Sequence, residues 1–180
     1  MMPNLIFDVK VDLTIRSRQD LENGKLDIAF IGGSVASGML DSTPLGKLPM
    51  RWVGSPALLG KDAAKRTLAE LLSRYPVWSL SKTSLLFPIL ASELDEKNSR
   101  VNVNMCDNIT AMVGLLAAGA GIGILPEMLV SEELNSGQLV RIGKGRADTS
   151  LPFVAAWHSD EKQVAVLTLI ELAKNVSTFI

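Results

Sequence analysis

Three short stretches carry hydroxyl, thiol, carboxylate or ammonium groups where an apolar strand gives way to a turn or a helix start. They are Gly32-Gly33-Ser34, Ser81-Lys82-Thr83 and Met105-Cys106-Asp107. Helix N-termini present free N–H groups, and open parallel sheets bind ligands at the carboxyl ends of their strands. Hydroxyl groups at a helix start, with one positive charge from Lys82, suit a carboxylate. These stretches are therefore the candidate binding site for a small anionic ligand.

Two of the three stretches also have a plainer explanation. Ser81, Thr83 and Ser84 are well placed to cap a helix predicted over Thr83–Leu94, because Ser and Thr are common at helix starts. Cys106 at a helix N-terminus is a candidate reactive thiolate, although most lone cysteines are inert and buried. The sequence leaves both alternatives open.

Catalytic and cofactor chemistry finds little support. His158 has no serine or cysteine motif as a partner, and a single histidine offers almost no ligands for zinc. The run AAGAGIG ends a predicted helix and precedes a strand, which is the reverse of a dinucleotide-binding fingerprint. The sequence predicts no catalytic residue, no metal and no cofactor, and hence no enzyme.

The stretch Val101–Leu134 contains Cys106 and Asp107 and must position their thiol and carboxylate groups. Its apolar residues first alternate, as in a strand, and then follow the spacing of one helix face, at Ile109, Met112, Val113 and Leu116. Asp107 is the predicted cap of this helix, and a glycine cluster at Gly119 and Gly121 ends it. Ile122–Leu125 then has the length and apolarity of a buried strand, and Pro126 starts another helix.

The remaining elements continue the alternation of strands and helices. Before this stretch we predict a strand over Leu5–Leu13, a short helix from Ser17 to Gly24, a strand over Asp27–Ile31, a turn-rich run over Val35–Pro49, a helix over Leu68–Leu72 and a strand over Val77–Leu80. After it we predict a strand in LPFVAAW and a closing helix whose buried face runs from Val166 to Val176. Pro88 predicts a kink or a later start in the helix over Thr83–Leu94. This order indicates an α/β fold with mainly parallel sheets.

Two motifs make the chain resemble a known family. MVGLLAAGAGIGILP followed by SGQLVRI, and SRQDLENGKLDIAFIGG near the start, resemble the effector-binding domain of LysR-type transcriptional regulators. The resemblance implies a two-lobed, type 2 periplasmic-binding-protein-like fold. Lobe I would comprise residues 1–53 and 155–180, and lobe II residues 54–154, with crossings near Val53 and Val154. A small-molecule effector would bind between the lobes.

The resemblance also implies what the chain lacks and what it does. Relatives carry a winged helix-turn-helix and then a first strand and helix ahead of the position matched by MMPNL, so lobe I is expected to be incomplete. DNA contact would come only through that absent N-terminal domain. Unpaired strand edges in lobe I predict a homodimer or higher homo-oligomer. The alternative is a binding protein of a transport system, or an enzyme, on the same fold.

Composition limits the remaining possibilities. The formal charge is −1 from 18 basic and 19 acidic residues, so no strong positive field attracts a phosphate backbone. The one cysteine cannot form an internal disulfide, and no signal sequence or long apolar span is evident. These features predict a cytoplasmic protein with no membrane partner.

Overall fold

Strands and helices alternate over residues 77–126 as the sequence predicts. The computed structural model describes residues 5–35, 38–60, 66–95, 101–143 and 149–179. In chain order the elements are α1 Thr14–Glu22, β1 Ile28–Gly32, β2 Leu40–Gly54, α2 Pro56–Leu59, α3 Leu68–Arg74, β3 Val77–Ser79, α4 Leu86–Asp95, β4 Val103–Met105, α5 Ile109–Ala117, β5 Ile122–Pro126, a 3-10 helix Glu127–Val130, α6 Ser131–Ser136, β6 Val140–Arg141, β7 Ser150–His158 and α7 Val164–Val176.

These elements form two compact units. Met1–Leu48 and Leu151–Ile180 make the first unit, and Pro49–Ser150 makes the second. The chain passes from the first unit to the second at Pro49 and returns at Leu151. The lobe crossings expected near Val53 and Val154 each lie a few residues later in the chain than these points, and the lobe boundaries stay a prediction. The charged run Gly145–Ser150, whose residues are typical of a loop, lies partly outside the described residues.

The first unit is built on the strand order β1-β7-β2. β1 is antiparallel to β7, with Ile28 opposite Trp157 and Gly32 opposite Phe153. Its core is a cluster of buried apolar residues from α1 and all three strands, which comprises Leu21, Ala29, Ile31, Leu40, Val154 and Ala156. The strands predicted over Asp27–Ile31 and in LPFVAAW are confirmed as β1 and β7.

The second unit has the order β2-β5-β3-β4, with β6 also paired to β2. β3 is parallel to β4 and to β5, whereas β2 is antiparallel to β5 and β6. Every residue of β5 is buried, as expected for a central strand. The α/β fold class is confirmed, and the parallel pairs lie in this unit.

Glycines allow β5 to follow α5 closely. α5 ends at Ala117, and Gly119 adopts a left-handed φ of +82° just beyond it, so the predicted end of this helix is confirmed. A Cβ at Gly121 would lie 2.3 Å from the backbone oxygen of Pro76. Gly121 is thus needed for the close approach of two backbones.

The strand predicted over Leu5–Leu13 is wrong. Residues 5–13 carry no strand, and several of their apolar side chains are exposed, among them Ile6 at 95%, Val9 at 81% and Val11 at 94%. A strand needs a hydrogen-bonded neighbour. None of the described strands of the first unit is paired with this segment.

Other boundaries also differ from the predictions. The run predicted to be turn-rich over Val35–Pro49 largely belongs to β2, which starts at Leu40. The helix predicted to begin at Ser17 starts three residues earlier, at Thr14, so Ser17 lies within α1 and is not its cap. α4 begins at Leu86, the later start that Pro88 predicts, since proline in a first turn sacrifices no helical hydrogen bond.

Candidate functional site

Two of the three predicted stretches lie side by side in the second unit. β3 and β4 are parallel, with Ser79 opposite Met105. The Cys106 N–H donates to the Ser79 carbonyl at 2.9 Å, which extends the pairing by one residue. The loops that follow the two strands therefore leave the same carboxyl edge of the sheet, the edge where such sheets bind ligands.

The hydroxyls of the first loop divide into two roles. Ser84 is buried, and its Oγ accepts from the Leu86 N–H at 3.2 Å, so it satisfies the first free N–H of α4. Ser81 Oγ and Thr83 Oγ1 instead lie 3.0 Å from each other. Only one of them is the donor in that bond, so the other hydroxyl keeps a proton for a ligand. Lys82 beside them is exposed.

The start of α5 differs from the prediction. The predicted cap at Asp107 is wrong, because Asn108 is the N-cap and its Oδ1 accepts from the Ala111 N–H at 2.9 Å. The residue directly before the first helical turn is the one whose side chain reaches the free N–H groups. Asp107 is left exposed, and its negative charge lies beside an edge proposed to hold an anion.

Cys106 and Met105 complete the second loop. The Cys106 thiol is half-buried and donates to the Asn108 carbonyl at 3.3 Å. Met105 is 39% exposed. The thiol proton is thus used in a local bond that supports the turn into α5.

The third predicted stretch lies in the first unit. Gly33 has a φ of +87°, a conformation that favours glycine, and its N–H donates to the Pro152 carbonyl at 2.8 Å. Gly32 is buried in the ladder opposite Phe153. The Gly33 amide is therefore already used in a backbone hydrogen bond. The hydroxyl of Ser34, which is exposed, is the group in this stretch best placed to bind a ligand.

A charged cluster near the end of β5 was missed by sequence reasoning. The Glu127 carboxylate accepts from Arg51 Nε at 2.8 Å and from Arg141 Nε at 3.1 Å, and it also contacts Arg141 Nη2. The three residues come from β2, the 3-10 helix and β6, so no local pattern links them. The cluster fixes the chain where it leaves β5.

Trp52 was also missed. It is 6% exposed, and its Nε1 has no hydrogen-bond partner among the described residues. A buried N–H usually has a partner. A tryptophan in an apolar run is typical of a core, so the sequence carried no signal for this unsatisfied donor.

The described residues offer neither a cluster of metal ligands nor a membrane-spanning helix. Across these segments, no His, Cys, Asp and Glu side chains gather in threes that could hold a metal ion. None of their helices has the length and apolarity needed to cross a bilayer.

A known domain family matches almost the whole chain. The LysR substrate binding domain family matches residues 2–177. No curated protein sequence matches the chain.

Solved structures share the fold at low sequence identity. The regulatory domain of HypT from Salmonella typhimurium has a TM-score of 0.80 at 15% identity, over 98% of this chain and 85% of that one. The effector binding domain of QuiR in complex with shikimate has a TM-score of 0.76 at 22% identity, over 94% and 81%. The CcmR regulatory domain of Synechocystis PCC6803 in complex with 2-PG has a TM-score of 0.80 at 16% identity, over 98% and 86%.

Proposed function

This chain belongs to the LysR substrate binding domain family, and we propose that it is the ligand-sensing, non-enzymatic domain of a LysR-type transcriptional regulator. Its solved neighbours are regulatory or effector-binding domains. A ligand that binds one arrangement of the regulator better than another shifts the population toward it. In this function the domain converts ligand concentration into a change of regulator conformation.

The ligand is a small anion, held at the carboxyl edge of the second unit. One observation carries this proposal: the register of β3 and β4 places the Ser81–Thr83 loop beside the turn that leads into α5, and the Ser81–Thr83 hydroxyl pair is not used to cap α4. A free hydroxyl, the positive end of a helix and the Lys82 ammonium suit a carboxylate.

The neighbours agree with a small polar ligand. One was solved with shikimate, which is a carboxylate, and another with 2-PG. A ligand with further polar groups also suits an edge that includes the exposed Asp107 carboxylate. A contribution from Gly32-Gly33-Ser34, which would place the ligand between the lobes, remains part of the prediction from the sequence.

Besides its ligand, the domain would have two kinds of macromolecular partner. DNA would be contacted by another part of the regulator, because this chain has a formal charge of −1 and a near-neutral surface gains little from phosphate. The domain would work in the cytoplasm, where regulators meet DNA. It would also self-associate, as a homodimer or higher homo-oligomer.

Calorimetric titration of the chain with a panel of small carboxylates, beginning with shikimate, tests the binding site. For any compound that binds, Thr83→Val should weaken binding by roughly 1–3 kcal/mol, because it removes one hydrogen-bonding hydroxyl. Thr168→Val is the matched control: the Thr168 hydroxyl donates to Val164 on α7, so its loss should leave affinity unchanged. If the unchanged chain and Thr83→Val bind the compound with equal affinity, the Ser81 and Thr83 hydroxyls have only a local structural role.

Gel retardation tests the assignment of DNA contact. The isolated chain should not shift duplex DNA at physiological salt. Sequence-dependent retardation that falls as salt rises would contradict it.

A further inference from the structure

We propose that the first unit holds a second ligand site, for a small organic ammonium ion with an apolar body, in a groove between residues 5–12 and β1. This site is separate from the anion site of the second unit and does not depend on it. The proposal rests on the size, the aromatic lining and the charges of the groove.

The groove has the size of a small-molecule site. It consists of two adjoining cavities of about 390 and 500 Å³, and pockets for small molecules commonly measure about 300–1,000 Å³. Phe7, Leu26, Ile28 and Leu169 line both cavities, so the two form one groove with largely apolar walls. A ligand with an apolar body can bury surface there.

Two aromatic rings line the first cavity. Phe7 lies in the segment before α1 and Phe30 lies on β1, and both line the cavity of about 390 Å³. They are 61% and 50% exposed, so other side chains do not cover their rings. The face of an aromatic ring attracts a cation, and groups of such rings bind ligands with quaternary ammonium groups.

The charges around the groove also favour a cation. Four carboxylates and only two ammonium groups line the two cavities. These residues are Asp8, Asp12, Asp20 and Asp27 with Lys10 and Lys25. An excess of one charge along a groove attracts ligands of the opposite charge.

Both lysines are already paired. Lys10 Nζ lies 2.6 Å and Lys25 Nζ lies 3.6 Å from the nearer oxygen of the Asp20 carboxylate. Asp8 and Asp27 take part in no ion pair within the described part of the chain. The groove therefore keeps two carboxylates for a cationic ligand.

The ammonium group of the ligand belongs in the first cavity. Gln163 and Ala165, at the start of α7, line only the second cavity, and the partial positive charge of a helix start repels a cation. Asp8 lines the first cavity together with both rings. The ligand would place its ammonium group beside Asp8, Phe7 and Phe30, with its apolar body along β1.

A groove beside a strand edge can also accept an extended peptide or a second copy of the chain. Such a partner is held mainly by backbone hydrogen bonds, which need neither aromatic rings nor unpaired carboxylates. The side chains that line this groove therefore favour the small cation.

Two-dimensional NMR of the isotope-labelled 180-residue chain tests the site. Benzyltrimethylammonium should shift the amide signals of Ile28, Phe30 and Leu169. Phenylacetate, an anion of similar size, should bind there about tenfold more weakly or worse, because it meets unpaired carboxylates and gains nothing from the ring faces.

Substitutions test the two kinds of contact separately. Asp8→Asn should weaken binding of benzyltrimethylammonium about two- to fivefold, as expected for an exposed ion pair. Phe30→Leu should weaken it by a similar factor, because leucine keeps an apolar wall but has no ring face. Asp41→Asn is the matched control: this exposed carboxylate lines neither cavity, so its loss should leave the affinity unchanged.

Three results would overturn the proposal. They are equal affinity for the cation and the anion, unchanged affinity in both Asp8→Asn and Phe30→Leu, and shifts of these amide signals on dilution of the protein without a probe. The last would show that a second copy covers the groove. Because Thr83→Val is measured with carboxylates at the other unit, either ligand site can fail without the other.

Discussion

Residues 5–13 and β5 are both short and largely apolar, yet they differ completely in the folded chain. Every residue of β5 is buried, and β2 and β3 pair with its two edges. The segment has no such neighbour among the described strands, and Val9 remains 81% exposed. The difference shows that a partner for the backbone, and not apolarity alone, decides whether an apolar run becomes a strand.

Truncating one buried side chain of α5 that packs against β5, and one exposed side chain of residues 5–13, should give the largest contrast. Leu116 is fully buried and would lie 3.1 Å from a Cβ at Gly123 of β5. Leu116→Ala should lower the free energy of unfolding by about 2–5 kcal/mol, because it leaves a cavity. Val9→Ala should change it by about 0.5 kcal/mol or less in dilute solution. Urea unfolding followed by tryptophan fluorescence measures both.

Equal costs for the two truncations would contradict the contrast. Such a result would mean that the residue 5–13 segment is buried in solution under the conditions used. Repeating the measurement at several protein concentrations distinguishes burial by a second copy from burial within one chain, since only the former depends on concentration.

A glycine substitution tests how closely the backbone at the start of β5 approaches its neighbour. Gly121→Ala should lower the free energy of unfolding by about 1–3 kcal/mol, because its Cβ would meet the Pro76 backbone oxygen, which cannot move aside as a side chain can. Gly114→Ala is the matched control, since a Cβ there meets nothing within 4 Å on the exposed face of α5. It should stabilise the chain by about 0.5–1 kcal/mol. Thermal or urea unfolding that shows no difference would refute the close approach.

Removing the side-chain cap of a helix should lower the free energy of unfolding by a smaller amount. α5 has a side-chain cap from Asn108, whereas α1 in the first unit starts after Leu13 without one. Asn108→Ala should cost about 1 kcal/mol of unfolding free energy. Asp107→Asn should have almost no effect, because that carboxylate does not cap the helix. A larger loss for Asp107→Asn would restore the cap predicted from the sequence.

The smallest expected effect is a pH dependence in α3. The backbone N–H and the hydroxyl of Thr67 bond the Glu70 carboxylate and hold the pKa of that group below its ordinary value of 4.5. The unfolded chain therefore binds the proton more readily, and the stability from this group is present above that value and lost as pH falls below it. Glu70→Gln keeps a capping side chain that does not titrate. Its unfolding midpoint should fall less steeply with acid than that of the unchanged chain, and parallel curves would contradict this.

The sequence determined the elements whose signals are local. The spacing of apolar residues from Ile109 to Leu116, the left-handed glycine at Gly119 and the short apolar run after it were sufficient to define α5 and β5. Pro88 correctly predicted a late start for α4. These signals act within one or two turns of chain, where each residue meets its own neighbours whatever the rest of the fold does.

Tertiary structure decided what depends on residues far apart in the chain. Only the pairing of β3 with β4 brings Ser81 and Cys106 to one edge, and only the fold gathers Arg51, Glu127 and Arg141. Tertiary structure also left residues 5–13 unpaired with any strand in the described part of the chain, although their alternation is strand-like. A sequence records which side chains are apolar, but backbone hydrogen bonds between strands join distant residues, and their partners exist only once the chain has folded.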